Sequence, residues 1–184
     1  TSKMPGLSYS LPAWACQTGA KLRKIPTSPC FGCYALKGNY TRYPAIKAAQ
    51  YRRLDAIDNP LWVTAMVTQI KRQKWFRWHD AGDLQSLEHM YKIIEVAKLT
   101  PDTQHWLPTQ ERQYLPKPED VPANLIIRLS AAKVNGTAGN AWSHSSTVVT
   151  DGSASCAAPD QGGKCLDCRA CWNKDIKNIS YGKH

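Results

Sequence analysis

The seven cysteines fall into two groups, Cys16, Cys30 and Cys33 near the start and Cys156, Cys165, Cys168 and Cys171 near the end, with none between. Cysteines used only as small buried apolar residues would not leave that gap, and an odd number does not make a complete disulfide framework. The pattern points to two metal-binding segments. The segment KCLDCRACW presents three thiols at successive three-residue steps. Structural zinc sites are usually assembled from paired C-x2-C turns, whereas a C-x2-C-x2-C run wraps one face of a cubane and takes its fourth ligand from a remote cysteine. A 4Fe–4S cluster is therefore expected on Cys165, Cys168 and Cys171, with zinc as the alternative metal. Cys156 is expected to fold back as the fourth ligand, through Pro159 and the Gly162–Gly163 pair.

The N-terminal trio leaves more open. It fits a second cluster with one iron left for substrate or a non-cysteine ligand, a zinc site completed by a histidine, or ligands shared with the other four. A second cluster is the favoured reading, which makes one or two clusters in all.

The formal charge of +10 invites a polyanionic partner. Lysine and arginine are spread along the chain, however, without a lysine tract or an arginine-rich tail. Nucleic acid or a host protein is thus one candidate partner and a small-molecule substrate another. No apolar run approaches bilayer length, so no membrane partner is expected. Residues 1–16 are interrupted by two prolines and lack the apolar stretch of a secretory leader. With the cysteine usage, this points to a reducing, cytoplasmic setting.

One domain over residues 1–184 is expected, divided into a cysteine-containing loop region (1–43), an α/β body (44–150) and a cysteine-rich segment (151–184). A short strand is expected at 7–10 and a helix from Pro44 to about residue 57, striped by Ile46, Ala49, Leu54 and Ile57. A second helix follows over 61–72, carrying Trp62, Val63, Met66, Val67 and Ile70. Then come a strand at 75–79 and a helix capped by Ser86, whose stripe is Leu87, Met90, Tyr91, Ile94 and Ala97. Further strands are expected at 103–107 and 125–130, with a short one at 147–149. Strands alternating with helices predict an α/β fold with a mainly parallel sheet, resembling a partial barrel. Its irregular cysteine-rich ends would be organised by metal clusters.

Ligands of parallel α/β folds bind beyond the carboxyl ends of the strands. There this chain ends one strand on His79 and follows it with Asp80-Ala81-Gly82-Asp83, and it places Thr109-Gln110-Glu111-Arg112 after the next strand and Ser130 and Lys133 after the third. A histidine and two carboxylates around a glycine turn are costly at a sheet end without partners, so His79, Asp80 and Asp83 are the candidate catalytic residues. Trp14, Phe31, Tyr34 and Trp172, close in sequence to cysteines, are candidates for a dry shell around the clusters. Among the other histidines, His105 is expected in the core, His89 on an exposed helix face, and His144 in a loop as a candidate late metal ligand.

The blocks MPGLSYSLPAWAC, CFGCYALKGNY, RWHDAGDLQS, HWLPTQER and GKCLDCRACW, in that order and over nearly the full length, resemble the phage-encoded "gene product 88" family. The resemblance implies a viral origin, hence the host-cell cytoplasm, and no settled reaction. A weaker architectural likeness is to radical S-adenosylmethionine enzymes. In those, three cysteines after the first strand hold a cluster, and a Gly-Gly-Glu-type motif after the second strand holds the cofactor's amino group. By that likeness Cys16, Cys30 and Cys33 would bind the cluster, and Ala81, Gly82 and Asp83 would contact S-adenosylmethionine. The gap of thirteen residues between Cys16 and Cys30 departs from the usual C-x3-C-x2-C.

Two functions follow. In the first, the chain is an iron–sulfur redox or radical enzyme whose N-terminal cluster works beside His79, Asp80 and Asp83 while the C-terminal cluster is structural or relays electrons. In the second, it is a metal-stapled module that binds nucleic acid or a host factor without catalysis. A simple electron carrier would not need the α/β body, and no G-x-S-x-G context supports a serine nucleophile.

Overall fold

The computed structural model describes residues 3–183. Its elements in chain order are β1 (Leu7–Ser10), α1 (Gln17–Leu22), α2 (Asn39–Arg42), α3 (Pro44–Asp55), α4 (Trp62–Ile70), β2 (Trp75–Ala81), α5 (Leu87–Lys98), β3 (Gln104–Thr109), β4 (Leu125–Ser130), β5 (Ser145–Val149) and β6 (Asn178–Gly182). All six strands lie in one parallel sheet whose order follows the chain, β1-β2-β3-β4-β5-β6. Each strand is laid beside its predecessor, the winding order that βα barrels use.

Period-two alternation sends Phe76 and Trp78 of β2, Leu107 of β3, and Leu125 and Ile127 of β4 to the face covered by α4 and α5. Trp62 and Ile70 meet them from α4, and Met90, Ile93 and Ile94 from α5, all 4% exposed or less. The other face carries Trp75 and Arg77, then Trp106, then Ile126 and Arg128. No helix covers it among the described residues. The cysteine-rich segment between β5 and β6 does so instead, packing Trp172 against Trp106 and Ile126.

The helix α5 starts where expected, with Ser86 Oγ accepting the His89 amide at 3.0 Å. Its buried face is rotated from the expected stripe. Leu87 and Tyr91 are exposed, and the rows His89–Ile93–Val96 and Met90–Ile94–Ala97 face the sheet. His89, expected on an exposed face, is therefore fully buried. Likewise Ile46 lies exposed on α3, whose anchors are Leu54 at its end and Ile57 just beyond. β2 and β3 run two residues further than expected, so Asp80 and Ala81 join His79 within a strand. The strand β6 was not foreseen, because NISYG is short and ends in glycine. No helix among the described residues is long and apolar enough to cross a membrane.

Three histidines sit in this core. Burial holds His79 well below the ordinary histidine range, and it lowers His89 and His105 each to about 4. The unfolded chain then binds more protons than the folded one below pH ~6.5, and stability falls as pH drops toward 4. Asp83, pushed up by burial to about 7, acts in the opposite sense over the same window. The informative quantity is therefore a difference between proteins. The stability advantage of wild type over His105→Gln, measured by urea unfolding, is expected to shrink by about 3 kcal/mol between pH 7.5 and 4.

Candidate functional site

The end of β1 crosses very close to the end of β2. The Leu11 amide donates to the Ala81 carbonyl at 2.9 Å. Gly82 has a φ of +78°, and a Cβ there would lie 2.6 Å from Leu11 Cβ and 2.8 Å from its carbonyl oxygen. Only glycine fits this crossing. It carries the loop after β1 over the carboxyl ends of β2 and β3, where Glu111 secures it. The fully buried Glu111 carboxylate accepts from the amides of Gln17 (3.2 Å) and Thr18 (2.7 Å) and from Thr18 Oγ1 (2.6 Å). These amides are free donors at the start of α1, immediately after Cys16.

The three N-terminal thiols meet above this anchor. Cys16 and Cys33 pack with Ala13, Ala35, Ala81 and Tyr40. A Cβ placed on Gly19 would lie 3.7 Å from the Cys16 sulfur and 4.0 Å from that of Cys30. Burial, then the nearby Asp83, Cys33 and Cys30, raises the Cys16 thiol far above its ordinary range. Burial and Cys33 push Cys30 up to about 11 against a hydrogen bond from Ser28. Trp14, Phe31 and Tyr34, proposed from sequence as a dry shell, are instead about half exposed, because the loop lies on the outside of the strand ends.

The predicted catalytic residues separate. Asp83 ties β2 to β3: its Oδ1 accepts from Thr109 Oγ1 (2.6 Å) and the Leu84 amide (2.8 Å), and its Oδ2 from the Gln110 amide (2.8 Å). Asp80 accepts from Ser8 Oγ at 2.9 Å and Tyr40 Oη at 3.2 Å, and its carbonyl accepts from Tyr34 Oη. His79 turns the other way. Three β2 residues, Trp78, His79 and Asp80, stand opposite Tyr9 alone between the paired positions, a bulge in which His79 takes a φ of +52°. Its ring lies 5.4 Å from that of His89 and 6.2 Å from that of Tyr9, with both ring nitrogens buried and without a hydrogen-bond partner. The structure thus gathers Cys16, Cys30, Cys33, Asp83 and Glu111 in one locality, with Asp80 beside Tyr40, and places His79 in the helix-side core.

The C-terminal thiols gather at a second place. A turn through Gly162 and Gly163, both with positive φ, closes on the Ala158 carbonyl and returns the chain. Cys156, Cys165, Cys168 and Cys171 then line one small cavity with Ala157, Ala158, Ala170, Trp172 and Ile179. Arg128 holds this segment to the sheet. Its buried guanidinium donates to the carbonyls of Ala170 (3.1 Å), Cys171 (3.0 Å), Asn173 (2.8 Å) and Ile176 (2.9 Å). Burial pushes Cys171 up to about 11, against a 3.3 Å hydrogen bond with Tyr181 Oη and the charges of Arg77 and Arg128. His144, considered as a late ligand, has both ring nitrogens engaged, by Ser143 and by the Lys174 carbonyl. No group of three or more His, Cys, Asp or Glu side chains among the described residues is set to hold a metal ion.

Arg77 lies beside the C-terminal thiols Cys165 and Cys171, its guanidinium 4.5 Å over the Trp106 ring. Burial disfavours its charge, but Tyr34 and Asp80 on one side and Tyr181 and Cys171 on the other more than offset this. Sequence reasoning missed both arginines, although a lone arginine inside LIIRLS was a visible signal: a cation in a buried strand needs a specific partner.

The sequence profile of the family described as gene product 88 matches residues 1–158. The chain belongs to the gene product 88 family. The matched region of this phage gene product family includes Cys16, Cys30, Cys33 and Cys156 and stops before Cys165, Cys168, Cys171 and β6. No curated protein and no solved structure matches the chain.

Replacing Arg128 with methionine leaves four carbonyls without their donor, at a cost of about 3–5 kcal/mol. The loss is expected to be local first. Amide exchange across residues 165–176 should accelerate in Arg128→Met while that of α5 stays close to wild type.

Proposed function

We propose that this gene product 88 protein binds iron–sulfur clusters and has a redox or radical-type role. The observation that carries the reading is the convergence of Cys156, Cys165, Cys168 and Cys171 on one apolar cavity, with two guanidinium groups beside Cys171. Neutral thiols would leave Arg77 with Asp80 and Arg128 with backbone carbonyls alone, and a nearby anion would favour both buried cations. Four thiolates on a 4Fe–4S core supply the anion. A tetrahedral zinc ion draws its four sulfurs to about 3.8 Å from one another. Four thiols around one cavity, three of them at successive three-residue steps in the chain, are the support for a cluster over a single ion.

The N-terminal trio would hold a second cluster, with one iron open to a non-cysteine ligand. Its support is position: Cys16, Cys30 and Cys33 follow β1 and Ala81-Gly82-Asp83 ends β2, the places that the likeness to radical S-adenosylmethionine enzymes requires, on a sheet we take to curve as a partial barrel. In such a site the cluster would supply an electron to a bound cofactor or substrate. The chain's own part is to hold the thiols through Glu111 and to offer Asp83, whose Oδ2 accepts one protein hydrogen bond, to a cationic ligand group. His79 has no place at that opening and is assigned to the core.

Protein purified without oxygen is expected to be brown, absorbing at about 400 nm, with iron and acid-labile sulfide near eight each. In Cys168→Ser and in Cys30→Ser iron should fall by about half, each variant losing a different cluster. Stoichiometric zinc without sulfide would remove the reading. Cleavage of S-adenosylmethionine by the reduced protein would establish the radical form; its absence would leave electron relay.

A further inference from the structure

The net charge of the chain is not evenly placed. Residues 1–54 contain nine lysines and arginines and no aspartate or glutamate, so +9 of the +10 lies in this stretch. It comprises the N-terminal thiol loop, α1, α2 and most of α3. Arg53 is engaged internally with Ser10, but Lys37, Arg42 and Lys47 are exposed and lie close together in the chain, in and beside α2 and α3.

The same stretch displays aromatic rings. Trp14, Phe31, Tyr34 and Tyr43 are each between 48 and 54% exposed. They are held from elements that touch one another: the turn at Ala13–Ala15 meets the turn at Tyr34–Leu36, which meets α2, which meets α3. Tyr34 is fixed by its hydroxyl on the Asp80 carbonyl, so its exposed ring is pinned. Arg23 lies 5.3 Å over the Trp14 ring. Residues 41–48, running into α3, are all exposed, so the start of that helix buries no face of its own.

From this we infer that the surface around the N-terminal thiols binds a single-stranded polynucleotide. Positive charge free of acidic residues tracks a phosphate backbone. Rings held outward stack on bases, and only unpaired bases offer their faces. A duplex would use the charge but leave the rings idle. The inference rests on charge and exposure and holds whatever the thiols bind. If the proposed cluster chemistry is correct, it names the substrate class, because the binding surface lies around Cys16, Cys30 and Cys33.

The test is fluorescence anisotropy with labelled 15-nucleotide single strands of DNA and RNA, the matching duplexes, and vesicles of phosphatidylserine, from ~50 to 300 mM salt. Single strands should bind tightest, with log affinity falling linearly with log salt. Lys37→Ala/Arg42→Ala/Lys47→Ala should lower that slope by about 2, at roughly 0.7 per phosphate contact. Phe31→Ala/Tyr43→Ala should weaken binding about tenfold or more with the slope unchanged. Lys71→Ala/Lys98→Ala, exposed residues outside the stretch, should bind as wild type does. The inference is overturned by absent or salt-independent binding, by duplex binding equal to single strands, by a triple variant that binds normally, or by binding confined to vesicles. The protein's own iron content, read separately, does not enter any of these outcomes.

Discussion

A parallel sheet must be covered on both faces, and here α4 and α5, the helices that pack on the sheet, cover the same one. The other face falls to residues 150–177, a stretch with few apolar side chains. Trp172 supplies most of the apolar cover, and its indole nitrogen donates to the Phe76 carbonyl at 3.0 Å. Arg128 adds polar attachment by gathering four carbonyls. A segment so poor in core residues lacks the burial to order itself. Its cysteines meet around one cavity, and an internal cross-link there would make up the deficit, as metals do in small folds. The chemistry of the segment and its role as a sheet cover are thus one requirement.

The strand-end site is built by a different economy of residues. Gly82 permits the backbones of β1 and β2 to cross, Asp83 joins β2 to β3, and Glu111 reaches from the end of β3 to the start of α1. Each polar group is spent on position, in keeping with the rule that buried carboxylates are hydrogen-bonded. The three strands and the thiol loop are thereby tied to one another. A metal centre on that loop would inherit the rigidity of the sheet.

Much of this was legible from sequence. The strands showed in runs such as LIIRL and WFRWH, α5 in its Ser86 cap and apolar rows, and the thiol groups in their spacing. What escaped was set by tertiary context. His89 reads as an exposed polar residue until the rotation of α5 is known, and His79 reads as a strand-end acid–base group until the bulge turns it inward. β6 has no apolar alternation beyond Ile179 and Tyr181, and it forms because β5 offers an edge to pair with. The charge asymmetry was present in the sequence but hidden by looking for clustered lysines. The signal is the absence of carboxylates before Asp55.

Arg77 is the point where the strand-end side meets the face covered by the C-terminal segment. It stands on the sheet face that the C-terminal segment covers, while Tyr34 and Asp80 approach it from the strand-end side. A buried guanidinium with its Nε unpartnered is stable only in a field of negative charge. Tyr34 and Asp80 make that field from one side and Tyr181 and Cys171 from the other; thiolates bound to metal would strengthen it from the Cys171 side. Arg77 stands over Trp106, with Trp172 next in contact at 5.3 Å, so the cation, the aromatic cover and the C-terminal thiols share one face of the sheet.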